Sequence, residues 1–256
     1  MKMACFPRSS APVLTGMLKC RTKERLIPEI ERIRKEGARA VGLQYEVLLP
    51  TEKSQTTLRT LFSSIGDLPI YFTDYMRSNS TVGITWEDIE GELITALSLG
   101  ARLIDVPGDM YLSSDMELTR DRAAVFKQKS LISSIHNMGG EALMSSHVLK
   151  FVSKSTVLAI ADEHFSRGAD VSKIVTEANS EAELRENFEI SLALAERYGS
   201  KTVFLCNGSY ARRHRLFAPT LGSFMYLAAE NALVSQMQPT LSEASEILKL
   251  SLGDVL

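Results

Sequence analysis

The chain of 256 residues is poor in cysteine, histidine and tryptophan, holding 3, 4 and 1 of them. Cys5, Cys20 and Cys206 are odd in number and form no Cys-x-x-Cys pair, so neither a disulfide framework nor a zinc site is indicated. His136, His147, His164 and His214 show no ligand-like spacing to acidic residues on a shared face, and no metal is expected. No apolar stretch approaches the roughly 20 residues that a membrane span needs, and the opening MKMACFPRSSAPVL lacks a signal-peptide core. A charge excess is missing too. The formal net charge of −2 gives no electrostatic case for nucleic acid or an anionic membrane. These absences predict a cytoplasmic protein whose partners are small molecules or a second copy of itself in a homodimer.

What is present is a repeated alternation. Hydrophobic residues make up 45% and charged residues 23%, ordinary values for a globular enzyme. Short apolar runs at 13–18, 40–45, 69–73, 102–106, 141–146, 171–176, 201–206 and 221–226 read as strands. Between and after them, 22–35, 51–64, 85–100, 118–137, 155–167, 182–198 and 241–250 carry helical periodicity or caps. Strands alternating with helices build parallel sheets, and the length suits one barrel, so the prediction is a single (β/α)8 TIM barrel over residues 1–256. A doubly wound sheet would alternate similarly, but no Gly-x-Gly-x-x-Gly follows the first strand to hold a dinucleotide.

Two reactive side chains stand at the ends of consecutive strands. GADVSKIVTEANS surrounds Lys173 with apolar and β-branched residues, and EALMSSH delivers His147 a helix-length interval earlier. In a barrel, adjacent carboxyl-terminal strand ends open on one mouth. A lysine desolvated there is an amine nucleophile for carbonyl carbon, with the histidine moving protons. Against this stand a solvated lysine and a satisfied core histidine.

The block Gly168-Ala169-Asp170-Val171-Ser172-Lys173-Ile174-Val175, with Ala178-Asn179-Ser180 after it, resembles the strand-six segment around the imine lysine of the type I 3-dehydroquinate dehydratases. Ser145-Ser146-His147 is similar to that family's Ser-x-His, although Val148-Leu149-Lys150-Phe151 departs from its continuation. His214-Arg215-Leu216-Phe217-Ala218 and Leu221-Gly222-Ser223 match a third pattern, in which Arg215 would hold the substrate carboxylate. The resemblance implies an imine at Lys173, proton transfer by His147 and no cofactor.

Several positions depart from the family pattern. Gln44-Tyr45-Glu46 stands for Glu-x-Arg, and Phe72-Thr73-Asp74-Tyr75 for Phe-Thr-x-Arg, with Arg77 two residues on as a replacement. The glutamate that orients the histidine would fall near Asn79. Met237-Gln238-Pro239-Thr240 replaces a lid glutamine segment, leaving Gln236 or Gln238 to substitute. The substrate-binding set implied by the resemblance is therefore Arg215, Gln44, Glu46, Tyr75, Arg77, Ser235 and Gln238. Asp105 stays open between a catalytic-face and a structural carboxylate; His164, at a polar helix end, is expected to face solvent; Arg212 and Arg213 read as structural or surface residues.

The implied reaction is dehydration of 3-dehydroquinate to 3-dehydroshikimate or of a closely related cyclic hydroxy-keto acid. The same imine chemistry on a different keto acid is one alternative. A ligand-binding or regulatory barrel without catalysis is another, which retention of both Lys173 and His147 argues against.

Overall fold

The computed structural model describes residues 6–7, 11–229 and 236–253. The elements run β1 (Val13–Leu18), α1 (Lys23–Lys35), β2 (Ala40–Gln44), α2 (Gln55–Ile65), β3 (Ile70–Thr73), α3 (Trp86–Leu99), β4 (Leu103–Pro107) and α4 (Arg122–Asn137). They continue as β5 (Glu141–His147), α5 (Lys154–Ser166), β6 (Val171–Glu177), α6 (Glu181–Tyr198), β7 (Thr202–Asn207), α7 (Ala211–Phe217), β8 (Met225–Ala229) and α8 (Leu241–Leu252). All strand pairs are parallel, in the order β7-β6-β5-β4-β3-β2-β1-β8. The result is a nearly closed (β/α)8 TIM barrel, as the alternation predicts. At the seam Phe224 N–H donates to Thr202 O at 2.8 Å.

Side chains alternate between the lumen and the helix layer with the strand period of two. Val13, Ala40, Tyr71, Leu103, Leu143, Val171, Val203 and Met225 fill the lumen. Leu14, Val41, Phe72, Ile104, Met144 and Tyr226 belong instead to the layer beneath the helices. The same parity carries Asp105, Ser145, His147 and Lys173 to the lumen side, and Ser145 pairs in register with Lys173. A one-residue slip would turn the whole set into the helix layer.

Three boundaries differ from the sequence reading. Strand β8 starts at Met225 rather than near 221, because Ala218–Leu221 forms a 3-10 turn closed by Gly222 at φ 102. Helix α4 starts at Arg122, since the Asp121 carboxylate caps it by accepting from Ala124 N–H at 2.9 Å. That leaves 108–121 as a long loop on the mouth side. The basic cluster around Arg215 is itself a helix, α7.

Candidate active site

Burying a lysine needs partners for its charge, and Lys173, 6% exposed, has three. Its Nζ lies 2.6 Å from the Tyr75 hydroxyl, 3.1 Å from the Tyr71 hydroxyl and 3.5 Å from Asp105 Oδ2. Both tyrosine hydroxyls donate to that same Asp105 oxygen, while Ser145 Oγ donates to Asp105 Oδ1 at 2.6 Å. Asp105 is fully buried, so its carboxylate is a lumen group rather than a surface one. Burial, followed by the Asp105 charge, holds both phenols well above the ordinary tyrosine value.

His147 stands edge-on to the Tyr75 ring, 5.0 Å between centroids. Its Nδ1 and its backbone N–H both bond Glu117 Oε2. A carboxylate only accepts, so Nδ1 carries the hydrogen and Nε2 keeps a lone pair. Burial and then the charge of Lys173 push the imidazole below the ordinary histidine value, with Glu117 pulling the other way. For Glu117 burial favours the neutral acid, but the His147 bonds and the Arg77 charge outweigh it and hold the carboxyl below its ordinary value. Arg77 Nη2 is 3.6 Å from Glu117 Oε1.

Glu117 reaches the site from the 108–121 loop, with a left-handed φ of 48 that a non-glycine residue adopts only under constraint. The loop sits tight on β5. A Cβ at Gly108 would lie 2.5 Å from Glu117 O and 2.9 Å from Ser146 Oγ, which is why only glycine fits there. Arg167 clasps both ends of the loop, donating to Gly108 O at 3.0 Å and Thr119 O at 2.6 Å.

Glu117 corrects the expectation for Asn79. The turn after β3 aims Asn79 away from His147: its amide donates to Asp74 Oδ1 at 2.8 Å and its oxygen accepts from Lys53 at 2.7 Å. His164 also differs from expectation, being fully buried. Ser146 Oγ donates to Glu117 O, so it accepts from His164 Nε2, and Nδ1 accepts from Ser172. Burial, with the Arg167 charge behind it, pushes this imidazole down to about 3.

Lys173 and His147 line one cavity of about 670 Å³. Gln44, Tyr75, Arg77, Arg215 and Gln238 from the expected set line it too, together with Lys19 and Asn207, which sequence reasoning did not single out. Among the described residues its lining holds no Asp or Glu. Ser235 lies outside the described residues. Glu46 is not in the lining. It is fully buried, accepting from Thr73 Oγ1 at 2.9 Å and Gln44 Nε2 at 3.1 Å, because the turn after β2 points it into the lumen. Its carboxyl is raised by burial. Thr240 is a structural cap of α8, paired with Glu243, and both Gln236 and Gln238 line the cavity.

Arg215 donates to Cys206 O at 2.9 Å, to Asn207 Oδ1 at 2.8 Å and to Gln238 Oε1. Three of its five N–H groups are thus spent on orientation and two remain for an anion. Burial lowers its guanidinium to about 10, leaving it charged at neutral pH. Arg212 and Arg213 instead pair with Glu243 and Glu181. A second chamber of about 430 Å³ adjoins the first, sharing Tyr75, Arg77 and His147 and lined further by Trp86, Asp109 and Glu117. Among the described residues no group of three or more His, Cys, Asp or Glu is placed to hold a metal ion. Among them, too, no helix is long and apolar enough to cross a membrane.

A buried amine beside an imidazole of fixed tautomer, opening on a cation-lined cavity, is suited to carbonyl addition and proton transfer on an anionic ketone. A family model described as Type I 3-dehydroquinase matches residues 17–254. No curated protein matches the chain. Among solved structures, 3-dehydroquinate dehydratase from Geobacillus kaustophilus superposes with a TM-score of 0.81 at 13% identity, covering 97% of this chain and 94% of that one. The type I enzyme from Clostridium difficile gives 0.80 at 16%, covering 94% and 93%. That from Aquifex aeolicus gives 0.73 at 15%, covering 94% and 99%. At such identities the superpositions speak to the fold alone.

Proposed function

The chain belongs to the type I 3-dehydroquinase family, and from that premise we propose that it is a hydro-lyase acting on 3-dehydroquinate, or a closely related cyclic hydroxy-keto acid, through an imine at Lys173. The observation that carries this reading is the cavity: Lys173 and His147 open into a space lined by Lys19, Arg77 and Arg215 and, among the described residues, by no carboxylate. Such a lining favours an anionic substrate.

In this mechanism Arg215 holds the substrate carboxylate with its two remaining N–H groups. Lys173 adds to the ketone, and loss of water from the carbinolamine gives an iminium. The iminium acidifies the neighbouring C–H, whose proton His147 takes on Nε2. The enamine then expels the β-hydroxyl, to which His147 returns the proton, and water releases the enone from Lys173. Glu117 holds the imidazole in the tautomer that this exchange needs and stabilises its charged form. Gln44, Tyr75, Arg77 and Gln238 meet the rest of the ring.

A second reading keeps the imine chemistry and changes the keto acid. It is favoured by Gln44 and Tyr75 in the lining, where the family pattern carries glutamate and arginine. Kinetics on 3-dehydroquinate, with borohydride trapping and peptide mapping, tests both. A kcat/KM of about 10⁴–10⁸ M⁻¹s⁻¹ and an adduct on Lys173 support the first. A far lower value, with an adduct formed from another keto acid, supports the second. Turnover without any adduct on Lys173 sinks the imine.

A further inference from the structure

Lys173 Nζ faces three acceptors, the Tyr75 hydroxyl, the Tyr71 hydroxyl and Asp105 Oδ2. An ammonium has three N–H donors, whereas a neutral amine has two and a lone pair. The resting pair is therefore an ammonium against a carboxylate, braced by two phenols that each donate to the carboxylate. An ammonium does not attack a carbonyl, so one proton has to leave before any imine forms. His147 is not among the three groups that Nζ bonds, and in the reaction above its Nε2 lone pair takes the C–H proton. Glu46 has its two oxygens bonded to Gln44 and Thr73.

We propose that Asp105 is the base that frees the Lys173 lone pair, with the Tyr75 hydroxyl relaying the proton between them. The inference rests on the imine reading above and assigns it a step of its own. A proton passes from Nζ to Tyr75 Oη as the tyrosine's own proton passes to Asp105 Oδ2. The net change is Lys–NH₃⁺ plus Asp–COO⁻ to Lys–NH₂ plus Asp–COOH, and the tyrosine is unchanged. Burial drives it: when substrate covers the mouth, a low-dielectric site disfavours both charged forms and so favours the neutral pair. When the carbinolamine loses its hydroxyl, Asp105 gives the same proton back and water departs. The iminium then forms with the Asp105 carboxylate as its counter-ion, so that no outside acid is consumed. Tyr71 and Ser145 hold Asp105 in place and are positioning residues.

Because the reactive neutral pair has the same number of protons as the resting ion pair, its abundance does not depend on pH between the two ionisations. A lysine without Asp105 has to lose its proton to solvent, and its reactivity then rises tenfold per pH unit up to its own pKa. The test compares wild type, Asp105→Asn and Tyr75→Phe from pH 6 to 9, after thermal melts have shown each to be folded. One arm mixes enzyme with 3-dehydroquinate for timed intervals, quenches with borohydride and quantifies the Lys173 peptide by mass spectrometry. A second arm labels Lys173 with acetic anhydride, which needs only a free amine and no true substrate.

The expected result is a flat profile for wild type and a slope near one for Asp105→Asn. Tyr75→Phe should keep the flat profile but slow adduct formation by about 10²-fold, the size of a lost proton-transfer group. A flat profile for Asp105→Asn, or a slope near one in wild type, overturns the proposal. Tyr75→Phe at wild-type speed removes the relay and leaves direct transfer to Asp105. If 3-dehydroquinate leaves no adduct on wild-type Lys173, the fault lies with the imine or substrate reading, and the acetylation profiles alone decide the role of Asp105.

Discussion

Two arcs of the barrel mouth treat their polar side chains in opposite ways. Along β3 to β6, Tyr71 and Ser145 bond Asp105 beside Lys173, Glu117 bonds His147, and all four of these partners are almost wholly buried. Along β7, β8, β1 and β2, Asn207, Arg215, Gln238, Lys19 and Gln44 line the open cavity. The first arc is a preorganised charge network, in which each reactive group has its own carboxylate, Asp105 for Lys173 and Glu117 for His147. Both come from β4 and the loop after it. The second arc is a recognition surface, whose side chains face an open cavity while steadying one another, as Asn207 and Gln238 do Arg215. A change in the first removes a partner from a buried charge; a change in the second alters one contact with substrate.

The largest expected effect is in the buried arc. Lys173→Met should abolish turnover and the borohydride adduct together while leaving ligand binding measurable by calorimetry; residual turnover at more than background rate would place the nucleophile elsewhere. Next comes His147→Ala, which should lower kcat by about 10²–10⁴-fold and still permit slow adduct formation at Lys173. Near-normal kcat would mean that another group moves the C–H proton.

Glu117→Gln should cost about 10²-fold in kcat, less than losing the imidazole itself. It carries a pH signature as well. Burial and the Lys173 charge depress His147, so in wild type the acid limb of kcat/KM should fall below the ordinary value of about 6.5. Removing the Glu117 carboxylate takes away the influence that raises this pKa, and the limb should move lower still. A limb that stays put would separate Glu117 from the titrating group.

In the recognition arc, Arg215→Lys should lose about 10–10²-fold in kcat/KM, mostly through KM, since one charge-assisted bond contributes about 1.5–3 kcal/mol. An equal loss with an uncharged analogue would mean that Arg215 supports the fold instead. The smallest effect on activity is expected at His164, behind the reacting arc. His164→Ala leaves the Ser146 and Ser172 hydroxyls without their ring partner and should cost about 2–4 kcal/mol of stability. The wild-type imidazole stays neutral when folded until about pH 3, whereas the unfolded chain protonates it near 6.5. Its contribution is therefore present above about 6.5 and is lost as pH falls towards 3, a slope that the variant should lack in pH-dependent denaturation.

The sequence by itself determined the barrel, since strand and helix periodicities and caps are local properties of the chain. It also marked Lys173, His147 and Arg215, whose neighbours along the chain form recognisable blocks. The carboxylates were another matter. Asp105 is 68 residues from Lys173, Tyr71 is 102 residues from it and Glu117 is 30 from His147. No local pattern ties such residues together, and reading along the chain sought the orienting group near Asn79, on the wrong loop. Strand register decided that Asp105 and Lys173 face the same lumen, and the glycine-tight loop clasped by Arg167 decided that Glu117 meets His147. His164 looked polar and exposed because a helix end usually is; only the stacking of α5 on β5 and β6 put two serines around it. A charge is made stable or reactive by what lies within a few ångströms, and in a closed sheet those neighbours come from distant stretches of chain.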